Sequence, residues 1–371
     1  VGSLGASQSR VTHLVQIVSV TGVFGLSLLL VVISVTLTRL VIRSPLNARY
    51  TTIWLATSTI MLLGAATYGT LVLRSQPGNG ELVRVATVQA AIDERNQDPA
   101  VVHEQIIRRY RTLLGALDDY RADLTVLPET MTGSYLAADS AFLTLVAEMG
   151  ERTGSAFLIG SRHIEEEDFT YGLYNSAFLL SAAGQIQDRY DKIKLVPFGE
   201  YTPAGIRFPW LSRFRLSEAE LTPGRALKPL RMPSLPPLGV GICYEAMYAS
   251  HMRAMVNAGA RMLVVISDDF WFAGTNESRQ FFNEAILRAV ENNVPVVRCA
   301  NLGASGMIDA QGRIISYPSD GLSLIQIGIV ATGDGNSIYS RYGDFLPVFC
   351  LSLCTIVFAW CAWRRRTSNS S

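Results

Sequence analysis

The sequence predicts an α/β domain with helix-covered sheets, flanked by transmembrane α-helices. Three apolar runs are long enough to cross a bilayer, and the polar stretch between them alternates short β-rich segments with amphipathic ones. The chain of 371 residues is 49% hydrophobic and only 17% charged, and its mean hydropathy is +0.24. This balance is too apolar for an ordinary soluble protein of this size, so it indicates membrane segments.

Two of the apolar runs lie near the N-terminus and one closes the chain. They cover about residues 11–41, 51–73 and 345–363. About 20 apolar residues cross a bilayer, so each run is long enough. The first is too long for the core of a signal peptide and is followed by no cleavage-site pattern. We therefore predict transmembrane helices in residues 1–74 and 344–371, with buried core helices as the alternative.

Basic residues in the short flanks predict the orientation of these helices. Arg39, Arg43 and Arg49 lie around the loop between the first two runs, and Arg364–Arg366 follow the third. The positive-inside rule makes the first a cytoplasmic loop and the second a cytoplasmic tail. Residues 75–343 then lie on the opposite face, which is the periplasm in a bacterium.

The middle segment reads as alternating strands and helices. Continuous apolar strands among amphipathic helices are typical of sheets covered by helices. The predicted strands are 82–88, 123–128, 156–160, 176–181, 238–244, 261–267 and 295–300. The predicted helices are 100–119, 138–153, 246–258 and 276–292.

Polar residues at three predicted strand ends suggest chemistry, because catalytic groups of such folds collect there. "DLTVLPET" ends in Glu129, "DRYDKIKLVPFGEY" contains Lys192, Lys194 and Glu200, and "GVGICYE" contains Cys243. A thiol needs a neighbouring base or cation to become a strong nucleophile. A carboxylate could take its proton, and a lysine could stabilise the oxyanion of an attacked carbonyl.

Each of these residues also has an ordinary structural explanation. A free cysteine on an apolar strand is usually core, as we expect for Cys299. A glutamate after a proline is often a solvated turn, and a lysine in a polar stretch is often on the surface. Only the conjunction of the three, in this chain order, is specific.

The remaining composition excludes other classes of site. The five cysteines form no C-x-x-C pair and the four histidines lack metal-ligand spacing, so we expect no metal and no cofactor. The net charge of +1 predicts no nucleic-acid partner.

The motifs "LPET", "YDKIKLVPFGEY" and "GICYE" resemble the three motifs of the nitrilase superfamily. Within it, "KLVPFGEY", "ISDDFWF", "RAVENNVPVVRCANLGASG" and "SRYGDFLPVF" resemble the apolipoprotein N-acyltransferase family, and the resemblance covers nearly the whole chain. It implies a nitrilase-like α-β-β-α sandwich. It also implies that Glu129 is the general base, Lys192 stabilises the oxyanion and Cys243 is the nucleophile.

The same resemblance assigns supporting residues. Glu200 matches a second glutamate of the family's site, and Tyr244 and Glu245 match the residues after its cysteine. The apolar loop of Phe270, Trp271 and Phe272 is expected to face lipid, with core packing as the alternative.

The implied activity is transfer of an acyl chain from a phospholipid, through a Cys243 thioester, to the α-amino group of the N-terminal diacylglyceryl-cysteine of an apolipoprotein. The implied location is the bacterial inner membrane, with the catalytic domain on the periplasmic side. Members of the family usually have about eight spans, so the chain is expected to lack part of the N-terminal membrane bundle. "VQAAIDERN" and "SDDFWF" also depart from the family's commoner "VQ-x-NI" and "SNDAWF".

Two other functions are compatible with these residues. A membrane-tethered amidase of the nitrilase type would hydrolyse a C–N bond with the same triad. An inactive, membrane-anchored binding module could use the same fold. Spans on both sides of the domain favour a lipid substrate over the first, and the intact triad argues against the second.

Overall fold

The computed structural model describes residues 2–42, 48–75, 80–93, 98–132, 134–167, 170–203, 208–214, 220–272, 274–319 and 321–368. Within them, helices α1–α10 are Thr12–Val15, Val18–Thr21, Val23–Val41, Ala48–Arg74, Pro99–Gly115, Ser140–Thr153, Ala249–Asn257, Glu277–Asn292, Ile338–Tyr342 and Phe345–Ser368. Strands β1–β12 are Leu82–Gln89, Leu124–Val126, Ala156–Glu167, Thr170–Leu180, Ile186–Asp191, Leu230–Met232, Leu235–Ile242, Met262–Asp268, Val296–Asn301, Ser305–Ile308, Ile314–Ser319 and Leu324–Ala331. Short 3₁₀ helices are Leu4–Gln8, Leu136–Ala138, Pro209–Phe214, Cys243–Met247 and Asp269–Phe272.

Two six-stranded sheets form the centre of the molecule. Their strand orders are β12-β1-β2-β3-β4-β5 and β11-β10-β9-β8-β7-β6. One face of the first sheet packs against α5 and α6 through a buried cluster that includes Val88, Ile106 and Phe142. Its other face packs against the second sheet, and α7 and α8 cover the far side of that sheet. The result is the nitrilase-like α-β-β-α sandwich expected from the resemblance.

Among the residues that the structure describes, three helices are long and apolar enough to span a membrane: Val23–Val41, Arg49–Arg74 and Phe345–Arg365. The first apolar run is not one continuous helix. Helix α2 ends at Thr21 and α3 begins at Val23, because Gly22 between them has a φ of 63°. Before this break, Val15 and Val18 pack against Leu287 and Val290 of α8, so this part of the run is docked on the sandwich. Arg43 lies outside the described residues.

The sandwich contacts one end of α3, one end of α4 and the short helix α9 that precedes α10. At the start of α3, the Val23 N–H donates to Glu291 Oε1 at 3.1 Å. At the end of α4, Arg313 Nη2 donates to the Leu73 carbonyl at 2.8 Å. Just before α10, Arg253 Nε donates to the Ser340 carbonyl at 2.9 Å. These contacts satisfy helix-terminal groups that would otherwise lack intrahelical partners.

The predicted elements and the observed ones differ mainly at their ends. The predicted helix 246–258 is divided into the 3₁₀ helix Cys243–Met247 and α7, because Tyr248 has an extended backbone between them. The predicted strand 176–181 is longer in the structure, since β4 begins at Thr170 and pairs with β3 along its whole length. The short strands β5, β6 and β10–β12 were not predicted.

Candidate active site

Glu129 lies in the turn after β2 and is only 5% exposed. Its Oε1 accepts hydrogen bonds from Asn175 Nδ2 at 2.6 Å and from Lys192 Nζ at 3.4 Å. Its Oε2 accepts the backbone N–H of Asp268 at 2.8 Å. Three donors from three separate segments therefore hold this carboxylate in one orientation.

The backbone around Glu129 depends on a glycine in β3. A Cβ atom added at Gly160 would lie 2.5 Å from both the Glu129 Cα and the Pro128 carbonyl oxygen. Only a residue without a side chain allows β3 to approach the turn this closely.

Lys192 follows β5 and is 1% exposed. Its Nζ lies 2.5 Å from Glu200 Oε1 and 3.4 Å from Glu129 Oε1. Burial is the largest single influence on the pKa of Lys192 and lowers it, but the negative charges of Glu129, Cys243 and Glu200 together outweigh it and raise the pKa above its usual value. The side chain is therefore an ammonium group at neutral pH.

Glu200 is fixed from its other side. Its Oε2 accepts the Val196 N–H at 2.9 Å, while Oε1 takes the lysine contact. Phe198, inside this turn, has a φ of 62°, a conformation that non-glycine residues rarely adopt.

Cys243 follows β7 directly and has a φ of 52°. Strained backbone of this kind clusters at functional sites, where the surrounding structure must maintain it. Burial, followed by the negative charge of Glu129, raises the pKa of the Cys243 thiol to about 12, against the opposing effect of Lys192. The thiol is therefore protonated at rest and needs a base at the moment of attack.

Glu245 lies two residues beyond Cys243 and is fully buried. Its Oε1 accepts from the Tyr190 hydroxyl at 2.9 Å and from the backbone N–H groups of Ile193 and Lys194 at 2.7 and 2.9 Å. Its Oε2 accepts the Ile242 N–H at 3.0 Å. Glu245 thus ties the segment after Lys192 to the strand that ends at Cys243, and it does not contact Lys192 Nζ itself.

Aromatic rings form one side of the site. The ring of Tyr244 lies 5.6 Å from that of Tyr248 and 6.5 Å from that of Phe281. Phe272 lies 5.5 Å from Phe281, so this residue packs within the sandwich. Phe270 is half-buried, and the side chain of Trp271 lies outside the described residues.

A buried ion pair supports the 3₁₀ helix Asp269–Phe272, which contains Phe270, Trp271 and Phe272. Arg298 Nη2 lies 3.0 Å from both carboxylate oxygens of Asp269. The Ser267 hydroxyl donates to Asp269 Oδ1 at 2.6 Å. Neither Asp269 nor Arg298 was predicted, since charged residues in or beside an apolar strand have no distinctive local pattern.

The structure therefore brings Glu129, Lys192, Glu200 and Cys243 together and places Glu245 behind them. Asn175, Tyr190 and Asp268 were not predicted from the sequence, because their contacts come from segments distant along the chain. Among the described residues, no group of three or more His, Cys, Asp or Glu side chains could hold a metal ion. An ammonium in contact with two carboxylates, near a thiol whose pKa is affected by Lys192 and Glu129, supplies the groups that nucleophilic acyl transfer requires.

Comparison with known proteins gives the family. A family model described as carbon-nitrogen hydrolase matches residues 84–331. The apolipoprotein N-acyltransferase of Geobacter metallireducens is 32% identical over 370 residues, covering 98% of this chain and 70% of the relative. The chain belongs to the apolipoprotein N-acyltransferase family. The apolipoprotein N-acyltransferase of Chlorobaculum tepidum is 26% identical, and the match covers 98% of this chain and 73% of that relative.

Solved structures share the fold of the sandwich. A carbon-nitrogen hydrolase from Helicobacter pylori superposes with a TM-score of 0.52 at 15% identity, over 72% of this chain and 95% of its own. At this identity the likeness concerns the fold alone. The carbon-nitrogen hydrolase model over residues 84–331 places the sandwich in the nitrilase superfamily, and the shared fold agrees with it.

Proposed function

We propose that this N-acyltransferase takes an acyl chain from a phospholipid, holds it as a thioester on Cys243 and transfers it to the N-terminal amino group of a diacylglyceryl-apolipoprotein. The observation on which this depends most is the buried Lys192 ammonium, which lies between the carboxylates of Glu129 and Glu200. Its charge also acts on the Cys243 thiol. A buried cation beside a thiol is suited to an oxyanion formed next to the sulfur.

In the first step, Glu129 takes the thiol proton and the sulfur of Cys243 attacks the sn-1 ester carbonyl. Lys192 and the backbone N–H of Tyr244 stabilise the oxyanion. The C–O bond then breaks, and Glu129 returns its proton to the oxygen of the departing lysophospholipid. A removed oxyanion donor typically costs about 3 kcal/mol of transition-state stabilisation.

In the second step, the neutral α-amino group of the acceptor attacks the thioester carbonyl. Glu129 takes a proton from the amine as the C–N bond forms. The C–S bond breaks, and the proton passes from Glu129 to the cysteine sulfur, which restores the resting thiol. The product is an amide, and no nucleotide or other co-reactant is consumed.

The membrane is the source of the donor in this proposal. The candidate spans on both sides of the sandwich would keep the site at a bilayer surface. The sandwich contacts the start of α3, the end of α4 and helix α9 just before α10, whereas Arg39, Arg49 and Arg364 lie toward the far ends of α3, α4 and α10. The positive-inside rule then favours a periplasmic sandwich in a bacterial inner membrane, with residues 75–343 as the catalytic domain.

Intact-mass spectrometry of the purified chain with phospholipid vesicles tests this proposal. We expect a mass increase of one fatty acyl group, released by hydroxylamine and absent from Cys243→Ala. Cys299→Ala is the matched control, because Cys299 is fully buried, and it should still form the adduct. Addition of a diacylglyceryl-cysteine peptide should discharge the adduct and yield an N-acylated peptide.

Two results would contradict the proposal. A folded protein that forms no adduct, but releases ammonia from small amides, would be an amidase. An adduct that water discharges as fast as the peptide does would make the chain a hydrolase.

A further inference from the structure

Asn175 contacts both Glu129 and the backbone of Lys192. It lies in β4, is 5% exposed, and donates from Nδ2 to Glu129 Oε1 at 2.6 Å. The backbone carbonyl oxygen of Asn175 accepts the backbone N–H of Lys192 at 2.8 Å. One residue thus helps to set the relative positions of a carboxylate and an ammonium that the proposed reaction uses separately.

The side-chain amide of Asn175 makes the short hydrogen bond to Glu129 Oε1 that Lys192 Nζ would otherwise make. Charge-assisted N–H···O bonds usually measure about 2.7–2.9 Å. Lys192 Nζ lies 3.4 Å from Glu129 Oε1 but 2.5 Å from Glu200 Oε1. The lysine is therefore paired with Glu200, and the short contact to Glu129 belongs to the neutral amide.

The two oxygens of Glu129 are not equally occupied. A carboxylate has about four acceptor sites, two on each oxygen. Oε1 faces both the Asn175 amide and the Lys192 ammonium. Oε2 accepts the Asp268 N–H and keeps one site for a proton.

We propose that Asn175 is a positioning residue, whose amide keeps Glu129 and Lys192 from closing into a tight ion pair and leaves Oε2 of Glu129 to receive the Cys243 proton. This inference rests on the proposed role of Glu129 as the base. A direct ion pair would weaken both groups, since the carboxylate would lose basicity and the ammonium would lose its availability to the oxyanion. A neutral donor fixes the orientation of the carboxylate but brings no positive charge to it, so it lowers the basicity of Glu129 less than the ammonium would and leaves Lys192 available.

The other side-chain atom of the Asn175 amide, Oδ1, agrees with a role for this residue beyond packing. It is buried, and among the described residues no donor lies within hydrogen-bond distance of it. Buried polar atoms are nearly always paired, and each exception asks for an explanation. The side chain is retained for its donor although its acceptor is unsatisfied.

Alkylation of Cys243 by iodoacetamide tests the inference without any lipid. The sulfur displaces iodide and the thiol proton passes to Glu129, so the rate depends on how readily this carboxylate accepts a proton. The measurement is the rate at each pH, followed by mass spectrometry with peptide mapping to separate Cys243 from the other cysteines. The variants are Asn175→Ala and Asn175→Asp.

Loss of the amide lets Lys192 close onto Glu129, and the ion pair makes the carboxylate less basic. For Asn175→Ala we expect the acid limb of the rate profile to move down by about one pH unit and the rate at neutral pH to fall about tenfold or more. Asn175→Asp keeps the side-chain shape and places a second carboxyl beside Glu129. It should move the limb up instead, because two adjacent carboxyls share a proton.

Asn292→Ala is the matched control. Asn292 is also fully buried, donates a single hydrogen bond from Nδ2 to the Arg288 carbonyl at 2.9 Å, and has an unpaired Oδ1. It should lower the melting temperature and leave the pH profile of alkylation unchanged.

An unshifted acid limb in either folded Asn175 variant would overturn the inference. So would an equal shift in Asn292→Ala, since the effect would then be general destabilisation. If Asn175→Ala does not fold, the shape-preserving Asn175→Asp decides. Failure of the wild-type chain to form an acyl adduct from lipid would overturn the proposed function, but it would leave this alkylation result standing.

Discussion

Lys192 Nζ lies 2.5 Å from Glu200 Oε1, almost an ångström closer than it lies to Glu129 Oε1. The closer carboxylate is anchored on its far side by the Val196 N–H. Glu200 therefore acts as a fixed counter-ion that draws the ammonium away from Glu129. The arrangement separates the group proposed to move protons from the group proposed to hold negative charge.

Glu200→Gln should lower the rate of acyl-enzyme formation about 10- to 100-fold. Without its closer carboxylate, Lys192 would move onto Glu129 and compete with Asn175 for Oε1. The rate is measured by intact mass after mixing with phospholipid vesicles. Glu165→Gln is the control, because Glu165 is paired with Arg189 and its side chain is 44% exposed. Equal rates in the wild type and Glu200→Gln would show that the ammonium does not depend on this pair.

The Cys243 thiol should make stability depend on alkaline pH. The folded state binds the thiol proton more tightly than the unfolded chain, since burial raises the pKa from 9.0 to about 12. This contribution is fully present below pH 9 and is lost as the pH rises toward 12. Thermal unfolding between pH 8 and pH 10.5 should therefore show a steeper loss for the wild type than for Cys243→Ala. Parallel curves would mean that the folded thiol ionises like a free one.

Gly160→Ala should impair the site through the backbone alone. The new methyl group would meet the Glu129 Cα and the Pro128 carbonyl, so the turn must shift. Small displacements of reacting groups cost up to about 100-fold in rate, and overpacking costs about 1–3 kcal/mol of folding stability. Acyl-enzyme formation and thermal unfolding are measured together.

Gly115→Ala is the control for this substitution. Gly115 ends α5, and a Cβ atom there would meet nothing within 4 Å. This variant should keep full activity and normal stability. A fully active Gly160→Ala would show that the turn tolerates displacement.

The sequence predicted those parts of the site that stand where a local pattern ends. Glu129 and Cys243 were singled out because each lies at the end of an apolar run, and Lys192 because it stands at the family's distance before the glutamate of "PFGE"; their roles came from the resemblance of the three motifs together. Asn175 lies inside β4 and meets Glu129 from 46 residues away. Such a pairing is set by the register of β4 within the sheet, and a single sequence does not contain that register.

The same limit applied to the membrane region. The run 11–41 is apolar over most of its length, and its hydropathy alone gave no sign that the helix is interrupted at Gly22. The division becomes visible only when α2 is seen against α8, whose Leu287 and Val290 bury Val15 and Val18. Tertiary packing, not hydropathy, determines where the first span begins.

The three hydrogen bonds that join the sandwich to α3, α4 and the segment before α10 have a mechanical consequence. A domain attached through one linker could tilt or swing above the bilayer. Attachment at three separate points allows neither motion unless these contacts break. In the proposed membrane arrangement, the thiol of Cys243 then stays at a constant height above the lipid surface, and each proposed substrate must bring its reacting carbon or nitrogen to that level.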